Sequence, residues 1–179
     1  FFLESTPTHS YMRALYKYPQ APFPYDQLVA ENARRDKTEP EYELVDTGVF
    51  DEHRYFDVFV EYAKNGTDDL LIRVTAHNRG DRAAPLWILP QAWFRNVWSW
   101  GCSEEGCEVR PRLRALDERT MRLDEPSLGP MTLSIDEVEG AESVDALFTE
   151  NETNVARLFG AANPQPFVKD AFHEYVVSG

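Results

Sequence analysis

Trp93, Arg95, Asn96, Trp98 and Trp100 fall within eight residues, and Glu150 and Asn151 stand in a second polar stretch further along the chain. These types, taken together, could hold a sugar. Indole faces pack against C–H surfaces, while guanidinium, amide and carboxylate groups give directional bonds to hydroxyls. The same types also stack inside cores and domain interfaces. Residue type alone favours that structural role, because large aromatics are on average well buried. The stretch from Leu86 to Gly101 contains all four tryptophans of the chain. Read as a strand, it sends Trp87, Trp93 and Arg95 to one side and Phe94, Asn96, Trp98 and Trp100 to the other. Neither side is polar, so both need cover. The expectation is that one side is core and the other meets a partner surface, with Trp98 and Trp100 outward and Arg95 partly buried.

Other catalytic chemistry is poorly supported. Asp57 and Glu61 share a strand face four residues apart, about 13 Å, which is wider than the roughly 5–9.5 Å of glycosidase acid pairs. They read as two solvent-facing charges. Glu150 and Glu152 bracket Asn151 in a polar stretch that reads as a loop held by side-chain-to-backbone bonds, with a metal or sugar site as the alternative. The four histidines are scattered singly, and no nucleophile elbow, zinc-protease, phosphate-loop or dinucleotide motif occurs. No catalytic residue, metal ligand or cofactor site is therefore assigned. Cys102 and Cys107 are the two cysteines. They allow a small disulfide loop, although two free thiols in a reducing cell is the preferred reading.

The elements around these residues come next. Helical patterns are expected over 8–17 and over 27–35, the second capped by Asp26 and lying on the surface. Alternation then takes over. Phe56, Val58, Val60 and Tyr62 share one face of a strand over 55–62, an Asn65-Gly66 turn follows, and a second strand covers 70–78. With the tryptophan stretch over 86–97 as a third strand, these make an antiparallel meander. A further pair is expected at 121–123 and 131–135, and short helices near 154–159 and 168–173. Strands at hairpin spacing predict a mainly β, antiparallel β-sandwich, with short helices inserted in the first third and near the C-terminus.

Composition narrows the function classes. The chain has 179 residues, 42% of them hydrophobic and 13% aromatic, which fits one folded domain rather than disorder. A formal charge of −13 repels phosphate backbones and argues against nucleic acid as a partner. Fourteen acidic residues against five basic ones lie between Cys102 and Glu152, which reads as a solvated face. No apolar run approaches the roughly 20 residues of a membrane span, so no membrane partner is expected. The preferred location is the cytoplasm. The chain opens on Phe1-Phe2-Leu3 as if inside a strand, so it reads as a piece of a longer protein and would not itself show a signal peptide.

Several longer words carry a resemblance. Tyr18-Pro19-Gln20-Ala21, Phe23-Pro24-Tyr25, Asp46-Thr47-Gly48-Val49-Phe50-Asp51, Arg54-Tyr55-Phe56-Asp57-Val58, Trp93-Phe94-Arg95-Asn96 and Leu147-Phe148-Thr149-Glu150-Asn151-Glu152-Thr153-Asn154 occur in this order. They resemble the N-terminal region of bacterial proteins similar to glycoside hydrolase family 63, relatives of processing α-glucosidase and mannosylglycerate hydrolase. The resemblance spans Ser5 to Val177 and is weakest from Cys102 to Ala146. It implies an N-terminal β-supersandwich that braces a C-terminal (α/α)6 domain. That second domain would hold the acid and base of an inverting hydrolysis. Residues 1–179 would then be the non-catalytic N-terminal domain alone, its partner the catalytic domain of the same polypeptide. The competing class is an independent carbohydrate-binding or protein-interaction module using the tryptophan stretch.

Overall fold

The computed structural model describes residues 1–101, 110–138, 140 and 144–179, with the side chain of Trp100 outside that description. Cys102 and Cys107, and with them the thiol-or-disulfide reading, lie outside the described residues. The chain is mainly β, with two antiparallel sheets and a few short helices. It divides into two compact units, Phe1–Leu86 and Trp87–Gly179.

In the first unit, strands β1 (Phe2–Ser5), β2 (Tyr11–Pro19), β3 (Tyr55–Lys64) and β4 (Leu70–Asn78) form one sheet in the order β1-β2-β3-β4. The β3–β4 hairpin closes at the expected Asn65-Gly66 turn. There Asn65 N–H donates to the Asp69 carbonyl at 3.0 Å, and its side-chain amide reaches the Asp69 carboxylate at 2.7 Å. Segment 8–17, expected as a helix, is instead largely strand β2. The cause is tertiary. Nine consecutive residues from Tyr11 to Pro19 find partners on β3, and such a ladder overrides a weak helical preference.

Register gives this sheet two chemically distinct faces. Met12 pairs Tyr62, which pairs Ile72; Ala14 pairs Val60, which pairs Val74. The even-numbered residues 12–18, 56–62 and 72–78 therefore share a face that carries no charge. The odd-numbered face holds Arg13, Lys17, Asp57, Glu61 and Arg73. Between β2 and β3 the chain forms helix α1 (Tyr25–Arg34), which buries none of its residues, in keeping with a surface helix. Asp26 is in its first turn rather than at the cap, where a carboxylate still complements the helix dipole.

In the second unit, β5 (Arg112–Ala115), β6 (Thr120–Glu125) and β7 (Gly129–Ser134) form a three-stranded meander. Met121 opposes Leu133 and Leu123 opposes Met131, the pairing expected for 121–123 and 131–135. The β6–β7 turn is tied by Glu125, whose carboxylate accepts from the Ser127 N–H, the Ser127 hydroxyl and the Leu128 N–H at 2.6–2.8 Å. Helices α2 (Val155–Phe159) and α3 (Ala171–Ser178) follow. The first matches its expected place, and the second starts three residues later than expected and runs on to Ser178.

The tryptophan stretch departs from expectation. Residues 86–97 belong to neither sheet, and Trp98–Trp100 form a single 3-10 turn. Pro85 and Pro90 bring no N–H to a ladder, so this segment is a poor central strand. Alternation nevertheless survives without a sheet. Residues 92, 94, 96 and 98 are half-buried, and 91, 93, 95, 97 and 99 are exposed.

Candidate functional site

The half-buried side of the tryptophan stretch meets the polar loop at 150–152. Asn151 donates its side-chain amide to the Phe94 carbonyl at 2.5 Å, and Asn96 donates in return to the Asn151 carbonyl at 2.5 Å. The two asparagine amides thus satisfy the carbonyls of Phe94 and Asn151, which have no ladder to satisfy them. One residue on, the Trp98 indole N–H donates to Glu152 Oε1 at 2.8 Å, and Asn96 Nδ2 stands 3.4 Å from Glu152 Oε2. Asn96 Oδ1 accepts the Ser99 N–H at 3.1 Å and so starts the 3-10 turn. The Arg110 guanidinium lies 6.0 Å from the Trp98 ring centre, at the outer limit of a cation–π contact.

The loop is held from behind as well. Glu150 N–H donates to the Phe167 carbonyl at 2.8 Å and Lys169 N–H to the Glu152 carbonyl at 3.0 Å, with Val168 buried between them at 3% exposure. Asn154 then caps α2, accepting the Arg157 N–H at 3.0 Å, and its amide bonds both Asp170 oxygens. The loop is therefore fixed in place on several sides.

The expected site residues now have positions. Asn96, Trp98 and Asn151 come together. Trp93 is 67% exposed, on the opposite side of the stretch from Trp98. Arg95, expected to be partly buried, is exposed, because it shares Trp93's side. Trp98, expected to face outward, is half-buried with its N–H engaged. Glu150 is exposed and joins the loop through its backbone. The side chain of Trp100 lies outside the described residues. Reading the sequence for chemistry missed the acceptor at the centre, Glu152. An indole that leaves water needs one partner for its N–H, which was a clue to look for an acceptor. Nothing in the spacing said that it would be Glu152 rather than Glu150.

Chemically, Glu152 is a carboxylate committed to an indole and an amide, which is a positioning role. The exposed side carries Trp93 and Arg95. Among the described residues, no three His, Cys, Asp or Glu side chains come together as a metal would need.

The first unit carries a second polar constellation. Asp57, expected to face solvent, is 6% exposed. Lys17 Nζ donates to one of its oxygens at 2.6 Å and Arg79 Nε to the other at 2.7 Å. Burial pushes the Asp57 carboxyl up, but the hydrogen bonds from Lys17 and Arg79 and their charges outweigh it, so it lies below the usual carboxylate range. Lys17 is held above its ordinary value, chiefly by the hydrogen bond to Asp57, and its ammonium sits 4.4 Å from the Tyr55 ring centre. This is structural cement across β2, β3 and the turn after β4.

No family model matches the chain, and no solved structure matches it. A yeast relative does. The uncharacterized protein YMR196W of Saccharomyces cerevisiae is 36% identical over 206 aligned residues, which take in 100% of this chain and 19% of the yeast protein. The chain thus spans about a fifth of that relative's length. Among the described residues no helix is long and apolar enough to cross a membrane.

Proposed function

We propose that residues 1–179 are a non-catalytic domain of a larger glycoside hydrolase that acts on α-glucosidic or related linkages. The domain braces the catalytic domain and contributes to the rim of the substrate site. One observation carries this reading. The two most distinctive words of the resemblance, Trp93-Phe94-Arg95-Asn96 and Leu147 through Asn154, lie far apart in sequence yet are knit together by the Asn96–Asn151 and Trp98–Glu152 bonds. A knot of that kind holds Trp93 and Arg95 outward on a rigid support, as a rim or docking contact requires. The yeast relative's greater length agrees with a larger parent.

The test is a pair of assays. The 179-residue chain should not hydrolyse α-glucosides or mannosylglycerate, whereas the longer polypeptide that carries it should. Turnover by the short chain, lost on changing one of its own carboxylates, would overturn the assignment. The exposed Trp93 favours a second reading, an independent carbohydrate-binding module. Specific retention of the short chain on a glycan array, abolished by Trp93→Ala, would select it.

A further inference from the structure

The β3–β4 hairpin carries a glycine that its backbone does not require. The loop from Asn65 to Asp69 joins the two strands. An Asn-Gly pair in a two-residue hairpin turn needs positive φ at both positions, and neither Asn65 nor Gly66 has it. Space does not demand the glycine either, because a Cβ built on Gly66 would meet only the Asp69 Cβ, at 4.0 Å. What Gly66 does supply is a main-chain nitrogen with no side chain beside it, directly after an asparagine. That nitrogen is weakly committed. It stands 3.4 Å from the Asp69 carbonyl, beyond the usual N–H···O range of about 2.7–3.2 Å, and the same carbonyl already accepts the Asn65 N–H at 3.0 Å.

The other six asparagines of the chain are placed differently. Asn163 precedes Pro164, whose nitrogen has no proton to give up. Asn32, Asn78, Asn96, Asn151 and Asn154 each precede a residue whose side chain crowds the next nitrogen. Their amides are held by Tyr42, Arg82, Asn151, Phe94 and Asp170 respectively.

We infer that Asn65 is a self-modifying site, at which the side-chain amide is lost and a carboxylate takes its place. The Gly66 nitrogen gives up its proton and attacks the Asn65 Cγ. The new N–Cγ bond closes a cyclic imide, the Cγ–Nδ2 bond breaks, and Nδ2 leaves as ammonia with that proton. Water then opens the ring. Addition at Cγ gives an aspartate at position 65. Addition at the main-chain carbonyl gives an isoaspartate, whose backbone runs through Cγ and is one methylene longer. Nothing is oxidised or reduced, and water is the co-reactant.

The product alters the hairpin. The Asn65 amide donates to the Asp69 carboxylate at 2.7 Å, and a second carboxylate there puts repulsion where a hydrogen bond stood. Strand β4 bears the consequence, because it ends its sheet and is held along one side by β3. This chemistry is local to the first unit and does not rest on the proposed function.

Peptide mapping by mass spectrometry tests it on the 179-residue chain, kept folded in warm, mildly alkaline buffer. The peptide containing Asn65 should convert to its aspartate and isoaspartate forms about tenfold faster than any other asparagine peptide. Gly66→Ala should slow that conversion about tenfold, because a Cβ crowds the attacking nitrogen and narrows its conformations. The open space around Gly66 should leave the thermal midpoint of the variant unchanged. Aged chain, and Asn65→Asp made directly, should both exchange the amides of β4 with deuterium faster than fresh chain. An Asn65 that stays intact in the folded chain while a urea-unfolded sample converts would overturn the inference, since the fold would then shield the site. Equal conversion rates with and without Gly66→Ala would do the same, and so would β4 exchange that neither ageing nor Asn65→Asp changes. Hydrolysis assays of the longer polypeptide bear on the proposed function and leave this result untouched.

Discussion

Asp57 shows how one buried carboxylate sets an acid limit. Its carboxyl is held below the ordinary range, so the folded chain takes up this proton less readily than the unfolded chain does. Its stabilising contribution is complete above the unfolded pKa, roughly 3.9, and is lost as pH falls through the lower folded value. Asp57→Asn should cost about 1–3 kcal/mol at pH 7, at the low end for a buried pair because Lys17 and Arg79 reach solvent and can rehydrate. Urea unfolding from pH 7 to pH 3 should show wild type and variant converging in acid. A gap that stays constant with pH would mean that packing, not the carboxylate, carries the effect. Glu152 offers a second residue-scale test. Glu152→Gln keeps an acceptor for the Trp98 N–H and should cost under about 1 kcal/mol, while Glu152→Ala leaves a half-buried donor unpaired at about 1–3 kcal/mol. Differential scanning calorimetry decides it, and equal losses would argue that Glu152 acts through packing.

At the scale of elements, alternation was readable and pairing was not. Strands β3 and β4 announce themselves because every second residue is apolar and an Asn-Gly turn joins them. The same is true of β6 and β7 around their Pro126–Gly129 turn. Strand β2 did not, since Tyr11 to Lys17 suits a helix locally and becomes a strand only when β3 supplies nine partners from forty residues away. The tryptophan stretch failed in the opposite direction. Its parity was correct, with Phe94, Asn96 and Trp98 on one side and Trp93 and Arg95 on the other, but its backbone bonds go to asparagine side chains instead of a neighbouring strand. Side-chain amides that donate to carbonyls 55 and 57 residues away leave no periodic trace, which is why Asn96 and Asn151 could be singled out and the bonds between their segments could not. The consequence is testable. Asn151→Ala removes the Phe94 carbonyl's donor, so amides 94–99 should exchange faster with solvent deuterium, by about tenfold for a loss near 1.4 kcal/mol. Unchanged exchange there would show that the segment is held by something else.

The whole molecule combines a strong negative charge with a sheet on whose even-numbered side Tyr16 and Ile72 are more than half exposed, and these act in opposite directions. At low ionic strength the charge of −13 keeps copies apart, because the repulsion extends over a screening length of about 30 Å at 0.01 M salt. At 1 M that length falls to about 3 Å, the repulsion is confined to contact distance, and burial of apolar surface is left to act. The 179-residue chain should therefore be monomeric by light scattering in dilute buffer. It should drift to heterogeneous, growing species in 1 M sulfate, a salt that also strengthens apolar burial. Contact driven by apolar area alone is non-directional, so a broad size distribution is expected rather than one oligomer. Ile72→Lys together with Val74→Lys places two cations on the even-numbered face, along the edge strand β4, and should keep the chain monomeric in high salt. A single lysine added on the odd-numbered face, at Thr75, should not, whereas Val74→Lys alone should already reduce the association. If the Thr75→Lys chain stays monomeric as well, the association is a matter of net charge alone, and the even-numbered face has no special part in it.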